Sequence, residues 1–334
     1  MRFSGVSMQK VYSIQFLRAL AAFSVLLFHI IGEPFTIGAA GVDVFFVISG
    51  LIMGSFATTA GPGAFLYHRL VRIVPLYWAV TLLMCVGAMA GVFSTFTFTL
   101  EHLWKSLLFI PYAGDSGEVV PLLVVGWTLN MEMFFYIVFA LGLALRAPLA
   151  VTVGILSVMA LAGQVFPSQS PFMQTWTSPL LLEFLGGLLL SRFMFQGVQA
   201  GIAALVISMT GFVAAALISE QSGMLRLMTW GVPAFFLVAG CVWLENGGLW
   251  PRRLLKPVEI VGDSSYALYL LHGLVISIVH KILAPGFLAG TVIIIVAVAV
   301  SISAHFLFEK PLIRLFRRGY GGRPRRQDQA VSMR

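Results

Sequence analysis

Ten apolar stretches run through this chain, near 12–31, 40–58, 73–94, 121–145, 148–166, 178–195, 199–218, 229–246, 264–282 and 286–308, with short polar connectors between them. Each is long enough to cross a bilayer as a helix, which takes about 20 residues. No soluble core accommodates such a series. The chain is 59% hydrophobic and 10% charged, whereas soluble domains run at roughly 45–50% and about 25%. The expected fold is therefore all-α: a polytopic membrane protein with about ten transmembrane helices. Residues 1–316 read as a single transmembrane domain. The basic, Gly/Pro-containing segment 317–334 is expected to be a disordered tail. The first stretch follows Arg2 and Lys10 as a signal peptide would. It is too long for a signal core, holds Arg18 and lacks an A-x-A site, so it is expected to be a retained helix.

The formal net charge is +8. In a soluble protein that would point toward nucleic acid. Here the cations gather in connectors and in "RLFRRGYGGRPRR", so the expected partners are membrane lipids and no nucleic acid. An even helix count places both termini on one face. Arg2, Lys10, Arg69, Arg72, Arg146, Arg192, Arg252, Arg253 and Lys256 fall on that face, against Lys105, Arg226 and Lys281 opposite. By the positive-inside rule both termini are cytoplasmic, and the expected location is the bacterial cytoplasmic (inner) membrane. The long outer connector 95–120 contains "EHLWKSLLFIPY", expected as a short interfacial helix with Trp104 at headgroup level. Cys85 and Cys241 lie in apolar stretches and read as packing residues.

Ionisable side chains inside such stretches are costly in lipid and mark candidate sites. In "RALAAFSVLLFH" Arg18 and His29 are eleven residues apart, which puts them on one helix face about 16 Å apart. Asp43, in the first outer turn of the next helix, falls at the depth of His29. A carboxylate there would orient the imidazole and strengthen it as a general base. Glu132, in "VVGWTLNMEMFFYIVF", and His272, in "SSYALYLLHG", fall by residue counting into the layer of Arg18. The expectation is a polar channel entered from the cytoplasm, with Arg18 and Glu132 paired across it. Each residue also has a plainer reading: a structural Arg18–Glu132 pair, a packing role for His272, a snorkelling His29, an N-capping Asp43. No Cys/His/Asp set converges, so no metal is expected.

"FLYHRLVRIVPLYW" bridges the second and third stretches on the cytoplasmic side. Arg69 and Arg72, three apart, make a fork suited to phosphate if that segment is helical, or simply obey the positive-inside rule. His305, followed by "EKP", reads as interface chemistry, and His68 as a solvated neighbour of Arg69.

Five segments in order resemble the integral-membrane acyltransferase-3 family, nearest to its exopolysaccharide-type O-acyltransferases. They are Arg18 with ten residues before His29; "GVDVFFVISGLIM" from Gly41; Arg69-Leu-Val-Arg72 running into "IVPLYW"; "WTLNMEMFFY" from Trp127, where Thr128 replaces the usual Ser; and "SSYALYLLH" ending at His272. The resemblance implies transfer of an acyl group, usually acetyl, from cytoplasmic acyl-CoA to a hydroxyl of a carbohydrate acceptor. That acceptor would be a surface polysaccharide or its lipid-linked precursor. Acyl-CoA (acetyl-CoA) is then a co-substrate, with no cofactor held permanently. Arg18, Arg69, Arg72 and His272 are the expected acyl-CoA-binding residues, and His29, Asp43 and Glu132 the expected catalytic ones. The competing readings are a proton-coupled transporter or flippase of a lipid-linked glycan, which discontinuous helices would favour, and a non-catalytic assembly partner.

Overall fold

A computed structural model describes residues 11–320 except 34, 57–60, 94–95, 115–116 and 219–221, with backbone alone at 252–254 and 318–320. The described residues form helices and no strand. In order these are α1 (Tyr12–Ile31), α2 (Gly41–Phe56), α3 (Pro62–Met89), α4 (Leu100–Leu107), α5 (Trp127–Ala144), α6 (Pro148–Val165), α7 (Pro171–Trp176), α8 (Leu181–Leu190), α9 (Gly197–Ala215), α10 (Gly223–Arg226), α11 (Val232–Asn246), α12 (Arg252–Asp263), α13 (Ser265–Val279), α14 (Phe287–Ala304) and α15 (Lys310–Tyr320). Short 3₁₀ turns lead into α2 and α5, and a wider π turn joins α10 to α11 and α14 to α15. Pro62, Pro148 and Pro171 open their helices, where the missing N–H costs nothing.

Eight spans among the described residues are long and apolar enough to cross a membrane, or nine if α12 and α13, bent by 70° at Ser264, count as one. The ten expected spans are thus not all of that length: α8 has 10 residues and α13 has 15. The third span also starts earlier than 73. It begins at Pro62, and Pro75 lies inside it rather than at its mouth. At the other end, helix continues through Tyr320, past the expected boundary at 316, and Tyr67 of α3 donates to the Phe316 carbonyl at 2.8 Å. The short helix α4 forms where expected, with Trp104 exposed. Cys85 and Cys241 are free and buried.

Burial sorts the helices into an inner and an outer set. Of the α2 span 72% is buried, against 17% for α6 and 22% for α9. The outer helices turn large apolar side chains outward, among them Val158, Leu161, Val213 and Phe287. Such a surface is stable only against lipid. At the centre, α2 meets α8 backbone to backbone. A Cβ on Gly50 would run into the Phe184 carbonyl, and one on Gly187 into the Val47 carbonyl. Small residues permit this approach, the usual basis of helix association where lipid removes the hydrophobic driving force.

Candidate functional site

The inner helices α1, α2, α3, α5 and α13 line a common cavity. Its polar lining is Arg18, Ser49, Arg69, Arg72, Thr128, Glu132, Tyr136, Tyr266 and Tyr269, set among apolar residues such as Val42, Phe45 and Ile52. Three guanidinium groups therefore face one carboxylate. Arg18 is buried, and Arg69 and Arg72 are half-buried. The Nε of Arg69 is buried without a hydrogen-bond partner. A charge with open donors and too few anions around it is the complement of an anionic ligand.

Helix geometry explains the convergence. Arg69 and Arg72 are one turn apart on α3, so both point the same way. They do not lie on a connector, as the sequence suggested, but two to three turns inside a 28-residue helix. On α5, Trp127 to Tyr136 make up the first three turns, so that Thr128, Glu132 and Tyr136, spaced by four, share a face.

The expected Arg18–Glu132 ion pair does not form. Both line the cavity, but Glu132 accepts from the Ser49 hydroxyl at 2.9 Å and from the Tyr136 hydroxyl. No ion pair joins it to Arg18 among the described residues. The reason is local: a tyrosine one turn on and a serine on the facing helix reach the carboxylate first.

The expected His29–Asp43 contact does not form either. Asp43 has no exposed surface, and both its oxygens accept from Arg226, Oδ2 from Nη2 at 2.8 Å and Oδ1 from Nε at 3.3 Å. That guanidinium also lies over the rings of Trp230 and Trp127, at 4.9 and 5.7 Å. Glu183 of α8, 3% exposed, stands beside the pair with no donor on either oxygen. Arg226 and Glu183 escaped the sequence reading. A lone Glu in "LLLEFLGGLLL" carried the same signal that drew attention to Glu132; Arg226 looked like a connector charge.

His29 instead meets His272. Their ring centroids are 4.8 Å apart, tilted by 57°. His272 thus does not share the layer of Arg18 and Glu132. At that layer α13 presents Tyr266 and Tyr269, and His272 stands a turn farther on. Counting from a flat inner face misplaced it because α13 starts inside the protein: Gly262, just before the bend, already touches the Gln15 backbone within α1. Tyr269 connects the two parts of the site. Its ring lines the cavity and lies 6.0 Å from that of His272, while its hydroxyl bonds Thr128 Oγ1 and the Val125 carbonyl, both at 3.1 Å.

At the end of α14, His305 and Glu309 form a pair at 2.9 Å across the π turn, both largely buried, rather than facing the interface.

The family described as an acyltransferase domain, the acyltransferase-3 family, matches residues 11–306. The chain is 40% identical over 305 residues to the exopolysaccharide production protein ExoZ of Rhizobium meliloti, covering 86% of this chain and 95% of that protein. It is 24% identical over 372 residues to the acyltransferase MdmB of Streptomyces mycarofaciens, covering 92% of each. No solved structure matches with significance. The matched region takes in the cavity, the Asp43–Arg226 cluster and the two histidines, and the chain belongs to the acyltransferase-3 family of membrane acyltransferases.

Proposed function

We propose that the protein moves an acyl group, acetyl in the simplest case, from cytoplasmic acyl-CoA to a hydroxyl of a surface polysaccharide or its lipid-linked precursor. The single observation carrying this reading is the cavity in which three arginines face one carboxylate and which ends at Tyr269, next to the two histidines. Acyl-CoA carries clustered phosphates on one end of a long uncharged arm. Arg69 and Arg72 take the phosphates, Arg18 holds charge farther in, and the arm runs along the apolar wall of α2 toward Tyr269. The name of the 40% identical relative, an exopolysaccharide production protein, supports a carbohydrate acceptor.

The imidazole of His29 has the right form for a base. Its Nδ1 lies 2.8 Å from the Val25 carbonyl. A carbonyl oxygen only accepts, so the neutral ring carries its proton on Nδ1 and a lone pair on Nε2. His29 is exposed and within reach of an acceptor. Nε2 removes the acceptor's proton, the oxygen adds to the thioester carbonyl, and collapse expels the CoA thiolate, which takes the proton back. Asp43 acts from the Arg226 cluster, as a support of α2 rather than as the orienting carboxylate of His29.

The same reading makes α8 and α13 crossings despite their length, giving ten spans with both termini in the cytoplasm and the protein in the inner membrane. The 70° bend between α12 and α13 is the kind of interruption a transporter would show. Family membership places the protein with the acyltransferases instead.

Purified protein incubated with labelled acetyl-CoA and candidate glycans tests the proposal by free thiol and glycan-bound label. Acceptor-dependent thiol release is expected, and His29→Ala is expected to lose about 10²–10⁴ of the rate while remaining folded. No release with any donor and glycan, or full activity without His29, would overturn it.

A further inference from the structure

His29 and His272 are alike in one respect that neither family membership nor the cavity explains. Each Nδ1 faces the carbonyl four residues back on its own helix, Val25 O at 2.8 Å and Leu268 O at 3.2 Å. Both neutral rings are therefore Nδ1-protonated, and both offer the Nε2 lone pair. One ring is exposed. The other is 1% exposed, and its Nε2 is buried without a hydrogen-bond partner. A buried acceptor without a donor is costly and rare. The rings sit 4.8 Å apart by centroid and are tilted by 57°, in direct contact but not hydrogen-bonded to each other, as two Nε2 lone pairs require.

The surroundings leave few alternatives. Of the elements packed on α13, namely α1, α3, α12, α14 and the 124–126 turn, α1 alone places a titratable ring against His272, that of His29. On α13 itself Tyr269 is the titratable neighbour, and its hydroxyl is engaged with Thr128 and Val125. No carboxylate pairs with either imidazole among the described residues, since Asp43 is held by Arg226. An imidazolium formed on His29 thus has one acceptor at hand.

We propose that His272 is the proton-accepting partner of His29, so that the two imidazoles act as one base holding a single shared proton. The inference rests on the acyl-transfer reading above. The acceptor O–H breaks as His29 Nε2–H forms. The oxygen bonds the thioester carbon, whose π pair moves to the carbonyl oxygen. While the tetrahedral species lasts, the imidazolium Nε2–H donates to Nε2 of His272. Collapse restores the carbonyl, breaks C–S with the pair going to sulfur, and the imidazole pair returns its proton to the thiolate. Protons and electrons balance without a further reagent. His272 is a positioning residue here: it acts through His29 and not on the acyl-CoA phosphates.

The test compares wild type, His272→Phe and His272→Gln as full-length protein in detergent, by thiol release against acetyl-CoA concentration and pH. His272→Phe is expected to lower kcat about 10²-fold, at the lower end of proton-transfer help. The KM for acetyl-CoA stays unchanged. The acid limb of the kcat profile moves to lower pH, because the His29 imidazolium has lost its acceptor. His272→Gln, whose carbonyl can accept, recovers part of the rate. A raised KM with unchanged kcat and acid limb would overturn the inference and make His272 a donor-binding residue. A wild-type profile in His272→Phe would overturn it as well. Ring-nitrogen NMR of ¹⁵N-histidine-labelled protein reads the pair without turnover. Two coupled titrations are expected in wild type, and a single titration of His29, shifted to lower pH, in His272→Phe. Independent titrations in wild type would reject the pair even if acyl transfer is real. Coupled titrations in a protein that releases no thiol would leave the pair standing and reject the acyl-transfer reading instead.

Discussion

Two polar clusters lie a few turns apart on α2, and they handle buried charge in opposite ways. At the start of the helix, Asp43 and Glu183 face Arg226 alone, with Asp43 wholly enclosed and its oxygens both bonded to the guanidinium. Two turns on, Ser49 joins a cavity whose lining sets Arg18, Arg69 and Arg72 against the single carboxylate of Glu132, with Glu309 and Asp263 acting on Arg18 from outside that lining. In the first cluster the Asp43–Arg226 pair is closed on itself, with Glu183 beside it lacking a donor on either oxygen. The second is short of anions and has space beside its cations. A closed, bidentate pair holds helices together; an open cationic excess awaits something from outside. The α10–α11 segment carries the first, and the wall that acyl-CoA would use carries the second.

Removing a member of the closed cluster should have the largest effect. Arg226→Met leaves Asp43 buried without its cation, a situation that costs about 3–5 kcal/mol. Little folded protein is expected by size-exclusion in detergent, with partial recovery in Asp43→Asn/Arg226→Met. A stable single variant would mean that the cluster is not structural. In the cavity the outcome should reverse. Arg69→Ala and Arg72→Ala are each expected to raise the KM for acetyl-CoA about tenfold, equivalent to about 1.4 kcal/mol, with thermal unfolding unchanged or slightly later because like charges have been thinned. Unfolding at lower temperature with an unchanged KM would reverse the assignment of the two clusters. Glu132→Gln keeps an oxygen for Ser49 and Tyr136, so its stability should stay within about 1 kcal/mol of wild type while thiol release falls. An active variant would take Glu132 out of the reaction.

The exposed pair on α4 marks the lower limit. Lys105 lies 2.5 Å from Glu101, and its ammonium holds the Glu101 carboxyl below the usual range. Any stabilisation is present above the unfolded pKa and lost as pH falls through the lower folded one. Such solvated pairs contribute little. Glu101→Gln is expected to leave the unfolding temperature where it was, at neutral and at mildly acidic pH; a clear drop would give the Glu101–Lys105 pair a structural role.

Much of this was legible in the residues. Hydropathy located α6, α9 and α14 closely, because lipid-facing helices are apolar all round and end where polarity resumes, and it placed α1 as well despite Arg18. It failed on α3, where Arg69 and Arg72 broke the apolar run and Pro75 looked like a beginning; those cations face a cavity, so helix continues through them. It also made α8 too long, since apolar flanks at 178–180 and 191–195 are turns rather than helix. Rarity in lipid singled out Arg18, Glu132, His29 and His272, and the structure brings the first two into one cavity and the last two into ring contact. Partners were not legible. Arg226 for Asp43, Ser49 for Glu132 and His272 for His29 are 183, 83 and 243 residues away in sequence. Only the relative heights of helices, fixed by the bend at Ser264 and by glycine contacts, decide them.

The interlocked backbones of α2 and α8 have a mechanical corollary. With Gly50 and Gly187 each seated on the other helix's carbonyl, α2 and α8 form a tight seam in which any added side chain would collide, so the α2 side of the cavity is the closely packed one. On the proposed reading, the widening that would let a bulky thioester advance past Tyr269 would come from the opposite side. There α13 hangs from the elbow at Ser264 and is tethered to α3 through the Tyr266 hydroxyl on the Ile73 carbonyl.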